Sequence, residues 1–178
     1  MSRMYTGRSV RTGLLLALAL ALTACGFHLR GNATLPASMQ RVHVTVNDNN
    51  ALQRQLARAL QTAGVTLEDA SGPGIAELRV PVARFGSETV SAGGYTRISE
   101  FAVRYQVEFD VTDLGGQVLV PHQRIDMSRE YSYDATNTVG NASQVQEIQR
   151  SLNDDMVQAI LFRLQAVAKH PQATTAKP

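Results

Sequence analysis

Four stretches of the chain alternate apolar and polar residues, as strands with one buried face do. Residues 41–46 place three valines on one face, and residues 78–90 begin with the same alternation. Residues 98–112 alternate most regularly, and residues 118–133 follow a hairpin signal, Asp113–Gly116. The pattern therefore predicts four strands.

Two prolines lie within these predicted strands. The alternation predicts that Leu78, Val80 and Val82 share the apolar face, although Pro81 interrupts this segment. Because proline cannot donate a hydrogen bond to a sheet, we expect an edge position or a bulge at Pro81 and a break near Pro121.

Two further stretches repeat apolar residues every three or four positions, as amphipathic helices do. The first predicts a helix over residues 50–63, with Gly64 placed to end it. The second predicts a long helix from Ser143 to Lys169. Its apolar positions are Val145, Ile148, Leu152, Met156, Ile160, Leu164 and Val167. We expect residues 134–142 to form the loop before it.

The predicted order is β-α-β-β-β-α, which indicates a two-layer α+β domain. Both helices must bury an apolar stripe, so we expect them on one face of a four-stranded mixed, mostly antiparallel sheet. The first two strands flank a helix and are expected to be parallel. The opposite sheet face would be polar, with Arg104, Gln106, Glu108 and Asp110 on its most regular strand. Solvent exposure alone would explain such a face.

The first 24 residues have the composition of an export signal. Arg3, Arg8 and Arg11 form a basic segment, and Gly13–Leu22 is an apolar run of ten residues. Such a run spans about 15 Å as a helix, about half of the roughly 30 Å hydrocarbon core of a membrane. It is therefore typical of a signal peptide, which predicts that residues 1–24 are removed.

The segment Leu22–Cys25 resembles the lipobox of bacterial lipoproteins, in which an aliphatic and two small residues precede a cysteine. The resemblance implies cleavage before Cys25, S-diacylglycerol on its thiol and an acyl chain on its freed amino group. Several chains together hold a protein stably on a membrane. The alternative is a generic cleavage site beside a chance cysteine. As the only cysteine of the chain, Cys25 has no partner for an intramolecular disulfide.

The composition excludes some classes of function. The formal charge is +2, but without the three arginines of the signal the remaining 14 basic residues face 15 acidic ones. We find no basic cluster with interleaved aromatics, so nucleic-acid binding is not expected. The four histidines are scattered without metal-ligand spacing, and common nucleophile and phosphate-binding motifs are absent. The adjacent Asp154 and Asp155 are expected on a solvated helix face. We therefore expect neither an enzyme nor a cofactor nor a metal.

The segment Cys25–Gly31 resembles the mature start of the LPS-assembly lipoprotein LptE family, and Leu35–Met39 resembles that family's approach to its first strand. The resemblance implies a non-enzymatic protein that plugs the LptD β-barrel, helps it assemble and binds lipopolysaccharide. Gly26 after the cysteine implies the outer membrane, on its periplasmic side. Residues 25–34 would be a tether, 35–170 the single domain and 171–178 a disordered tail.

Lipopolysaccharide carries phosphates, which arginine binds well. The candidates are Arg97 with its neighbour Tyr95, and then Arg84 and Arg104. The predicted loop, residues 134–142, contains no Lys or Arg. Two other functions remain open. An amphiphile-binding lipoprotein without a barrel partner would need an apolar cavity, and an enzyme or enzyme regulator would need a buried polar cluster.

Overall fold

The computed structural model describes residues 35–91, 98–134 and 136–169. A 3₁₀ turn, Ala37–Met39, leads into strand β1, Arg41–Val46, and helix α1, Asn50–Thr62. The strands β2, Thr66–Glu68, β3, Ala76–Ser91, β4, Ile98–Thr112, and β5, Val118–Asp134, follow, and helix α2, Thr138–Lys169, ends the fold. The predictions for residues 1–34 and 171–178 lie outside the described residues.

The strands form one mixed sheet in the order β2-β1-β3-β4-β5. β1 is parallel to both β2 and β3, and β3, β4 and β5 are antiparallel to one another. Both helices pack on the same sheet face, where the valines of β1, the alternating residues of β4 and the apolar stripes of α1 and α2 form one core. The predicted α+β class, with two helices on one face of a mixed sheet, is confirmed.

The prediction of four strands is wrong by one, because β2 joins the sheet as a short fifth strand at its edge. Its three residues are too few to show alternation. The chain reaches it through Gly64, whose φ of 87° needs the left-handed conformation that glycine adopts easily. The Arg41 guanidinium then pairs with the Glu68 carboxylate at 2.7 Å across the strands.

Of the two alternatives expected at Pro81, an edge position or a bulge, the structure shows a bulge, and the residues after it lie on the opposite sheet face from the one predicted. The β3–β4 register shifts between Arg79 and Val82, and Val82 then lies opposite Glu108. The prediction that Val82 shares the apolar face is therefore wrong. Ala83 and Phe85 point to the core instead. Near Pro121, β5 continues without the predicted break, and only its register with β4 shifts there.

Helix α2 begins before the predicted residue, Ser143, so most of the predicted loop is helical. Asn137 is its N-cap, because its side-chain Oδ1 accepts the backbone N–H of Gly140 at 3.0 Å. The early turns were missed because their side chains are mostly exposed and have no apolar period. Asn141 is the exception, since it is buried and exchanges two hydrogen bonds with the backbone of Asp134.

A chain of polar side chains crosses the core between the helices. The fully buried Tyr105 hydroxyl accepts a hydrogen bond from Asn49 and donates one to Asn153, both at 3.0 Å. Asn153 donates in turn to Gln55 on α1. Burial raises the pKa of Tyr105 well above its ordinary value of 10.0. Because every buried side-chain polar atom in the described residues has a partner, this network stabilises one arrangement of helices and sheet.

Arg129 lies on the apolar face of β5, but its charged group has polar partners there. Its guanidinium donates to Ser151 at 2.5 Å and to Asp155 at 3.0 Å, both on α2. These two contacts join β5 to α2 at the edge of the core.

Among the described residues, no helix has the length and hydrophobicity needed to cross a membrane.

Candidate functional site

The sheet face opposite the helices, called the open face below, is polar as predicted. The alternation of β4 places Arg104, Gln106, Glu108 and Asp110 on it. The neighbouring strands add residues of the same kind. They are Arg79, Arg84 and Glu88 of β3 and His122, Arg124 and Asp126 of β5.

Arginines and carboxylates pair with one another across the strands of the open face. Arg79 meets Asp110 at 2.6 Å, and Arg104 meets Glu88 at 2.5 Å. The charge and hydrogen bond of Asp110 raise the pKa of the Arg79 guanidinium. Pairing across β3 and β4 depends on their register, so it could not be read from either strand alone.

On the outer strand of the open face, Arg124 contacts Asp126 at 2.7 Å and Glu108 at 4.0 Å. The hydrogen bond from Arg124 lowers the pKa of the Asp126 carboxyl. Glu108 also lies 3.5 Å from His122 and accepts a hydrogen bond from Gln106 at 2.8 Å. Exposed pairs of this kind contribute little stability, roughly 0–1 kcal/mol each. Their effect is to neutralise the surface.

The predicted ligand-binding arginines differ in their surroundings. Arg104 lies between two carboxylates, Glu88 at 2.5 Å and Asp126 at 3.9 Å. Arg84, on the next strand, donates to the neutral Gln106 amide at 3.2 Å. Its positive charge is therefore less compensated than that of Arg104. Cys25, Tyr95 and Arg97 lie outside the described residues.

Asp154 and Asp155 are exposed on α2 and have different partners. Asp154 accepts a hydrogen bond from Gln55 at 2.8 Å, whereas Asp155 pairs with Arg129. Neither carboxylate faces the other, which agrees with a solvated helix face. Within the described ranges, no group of three His, Cys, Asp or Glu residues is placed to hold a metal ion.

The same fold occurs in bacterial lipoproteins. An uncharacterized lipoprotein B from Nitrosomonas europaea superposes with a TM-score of 0.68 at 22% identity, covering 82% of this chain and 94% of its own. A minor lipoprotein from Acinetobacter baumannii gives a TM-score of 0.62 at 22% identity, over 74% and 94% of the two chains. This chain therefore shares the α+β fold of these two proteins.

The family follows from the sequence match. Residues 39–164 fit the model of the family described as LptE: Lipopolysaccharide-assembly. The chain is also 28% identical over 147 residues to the LPS-assembly lipoprotein LptE of Photorhabdus laumondii, covering 78% of this chain and 81% of that protein. This chain belongs to the LptE family, which confirms the family predicted from the sequence.

Proposed function

We propose that this protein is anchored in the outer membrane, plugs the LptD β-barrel, assists its assembly and binds lipopolysaccharide. The proposed role is non-enzymatic and needs no cofactor. The observation that carries the barrel partnership is the pairing of charges on the open face. Family membership supports the rest.

A paired polar surface suits enclosure in a barrel lumen, which is polar and can hold a protein plug. A charge removed from water is costly unless a partner of opposite charge accompanies it. On the open face, Arg79, Arg104 and Arg124 each bring a carboxylate with them. The surface can therefore be enclosed without separating these charges from their partners.

Gentle detergent extraction of outer membranes tests the partnership. The protein should co-purify with a large β-barrel at near-equal molar amounts, identified as LptD by mass spectrometry. A lipid carrier without a barrel partner would be recovered alone, and that result would refute the proposal.

The proposed anchor is Cys25, lipidated after removal of residues 1–24. The Cys25→Ala variant should remain an uncleaved precursor that takes up no radiolabelled palmitate. Incorporation of palmitate into that variant would place the acyl chains elsewhere.

The proposed lipopolysaccharide contacts are Arg97 with Tyr95, followed by Arg84 and Arg104. Arg84 is the stronger candidate of the last two because its partner is an uncharged amide. Arg97→Glu should weaken lipopolysaccharide retention, Arg84→Glu should do so less, and Arg150→Glu, which removes an exposed arginine of α2, should have no effect. Equal retention by wild type and Arg97→Glu would remove Arg97 from the site.

A further inference from the structure

A groove of about 710 Å³ opens between the end of β5 and the first turns of α2. Its volume lies within the usual range of ligand sites, roughly 300–1,000 Å³. Tyr131 and Tyr133 line one wall, and Val139, Ser143, Gln146 and Gln149 contribute to the other. The sequence pattern does not predict this groove, because its two walls come from separate elements and the first turns of α2 have no apolar period.

Aromatic rings in contact with one another form one wall of this groove. Phe101 on β4 stacks on Tyr131 with ring centroids 6.0 Å apart and meets Tyr133 edge-on at 5.5 Å. Both tyrosines are only half-buried, and Val139 is 78% exposed. The wall is therefore held in place from behind and remains accessible from the groove.

The other lining groups are hydroxyls, amides and the small apolar side chains of Ala142 and Val145, and none of the described residues that line the groove carries a charge. Without a positive group, this lining does not favour a phosphate. Because the groove is open to solvent, an acyl chain within it would stay largely wet and gain little from burial. A sugar ring fits both features. Its C–H face packs on an aromatic ring, and its hydroxyls donate to and accept from amides.

We propose that this groove binds a saccharide ring of an amphipathic glycolipid. The inference rests on the proposed function and deepens it, since it assigns the uncharged sugar part of the ligand to a site separate from the arginines. Tyr133 supplies the stacking surface, and Gln146 and Gln149 supply hydrogen bonds.

Calorimetric titration of the full-length lipidated chain tests this, in lauryldimethylamine oxide, a detergent without a sugar head group. The three probes are intact lipopolysaccharide, lipopolysaccharide stripped of its acyl chains, and didodecyl phosphate, which has chains and a phosphate but no sugar. Tyr133→Leu removes the stacking ring. Ser143→Trp fills the groove from an exposed position and so does not disturb the core. The matched control is Phe162→Leu, the same kind of change at a residue 62% exposed elsewhere on α2.

The acyl-free probe should bind wild type and Phe162→Leu equally and bind Tyr133→Leu about two- to tenfold more weakly. Ser143→Trp should weaken binding of the acyl-free probe at least as much. If circular dichroism shows Tyr133→Leu to be misfolded, the affinity of Ser143→Trp is the deciding measurement. The saccharide site is overturned if a folded groove variant binds the acyl-free probe with unchanged affinity. It is also overturned if the groove variants lose only their binding of didodecyl phosphate. Binding of intact lipopolysaccharide without the acyl-free probe also overturns it but leaves the proposed function standing. If neither form of lipopolysaccharide binds, the proposed function fails as well.

Discussion

The two ends of the long β4 strand lie on one sheet but in different surroundings. Near its C-terminal end, Phe109 is fully buried beneath the helices. Eight residues earlier, on the same face of the strand, Phe101 is only half-buried beside Tyr131 and Tyr133. The alternation continues without change through both ends, whereas the burial does not. The C-terminal end of β4 therefore stabilises the fold, whereas the N-terminal end leaves the same kind of side chains partly accessible to solvent.

The largest expected effect compares these two phenylalanines directly. Phe109→Ala should lower the free energy of unfolding by about 3–5 kcal/mol, because it leaves a cavity in a closed core. Phe101→Ala should cost roughly 1 kcal/mol, since its surroundings are already partly open to water. Urea unfolding followed by circular dichroism measures both. Equal losses would show that the two ends contribute alike to stability.

The next effect comes from hydroxyl groups at the two ends. Tyr105→Phe leaves the Asn49 and Asn153 side chains without a shared partner and should cost about 1–3 kcal/mol. Tyr133→Phe, at the open end, should cost less than about 0.5 kcal/mol. The same urea titrations compare the two, and a silent Tyr105→Phe would contradict the role given to the buried network.

Tyr105 should also make stability depend on alkaline pH. Its pKa is raised in the folded protein, so its contribution is complete below the unfolded value of 10.0 and is lost as pH rises above it. Unfolding measured from pH 9 to 11.5 should show a decline in wild type that is shallower in Tyr105→Phe. Identical slopes in wild type and Tyr105→Phe would reject this assignment.

A smaller effect is expected at the helix caps. Asn137→Ala removes the cap of α2 at the open end and should cost about 1 kcal/mol. The loss should be local, so hydrogen exchange should speed up over residues 138–147 and not in β4. Asn49→Ala, which removes the cap of α1 together with a bond to Tyr105, should speed exchange throughout the core. Global exchange in both variants would mean that the two ends unfold as one unit.

The smallest effect concerns an exposed ion pair of the open face. Arg124 lowers the pKa of Asp126, so this contribution to stability exists above the ordinary aspartate value of 3.8 and disappears as pH falls through the folded pKa. NMR titration should find the Asp126 pKa below 3.8 in wild type and closer to that value in Arg124→Met. An unchanged value in the variant would show that Arg124 is not the cause.

Local pattern was sufficient to predict most of the fold. The division of β4 into an apolar and a polar face and the buried stripe of α2 follow from residues that are close in sequence, so both could be predicted. The sheet face on which Val82 lies could not be predicted in this way, because the hydrophobic pattern does not show that the bulge at Pro81 shifts the register. β2 is shorter than one detectable period, and the first turns of α2 are set by a cap and not by burial.

The candidate sites were harder to predict, because they depend on contacts between distant segments. The polar character of the open face follows from alternation, but the pairing of Arg104 with Glu88 requires the final register of β3 and β4. The difference between Arg84 and Arg104 has the same origin. The aromatic groove requires β5 and α2 to meet, so neither segment alone could reveal it.

We propose that the open face lies against the wall of the LptD lumen. Photo-crosslinking in living cells, with the reactive amino acid at Gln106 or Ser128 of the open face, tests this directly. We expect a covalent product that contains LptD from both positions and none when the reactive amino acid replaces the buried Leu60. Absence of an LptD product at both open-face positions, in protein that is lipidated and folded, would contradict it.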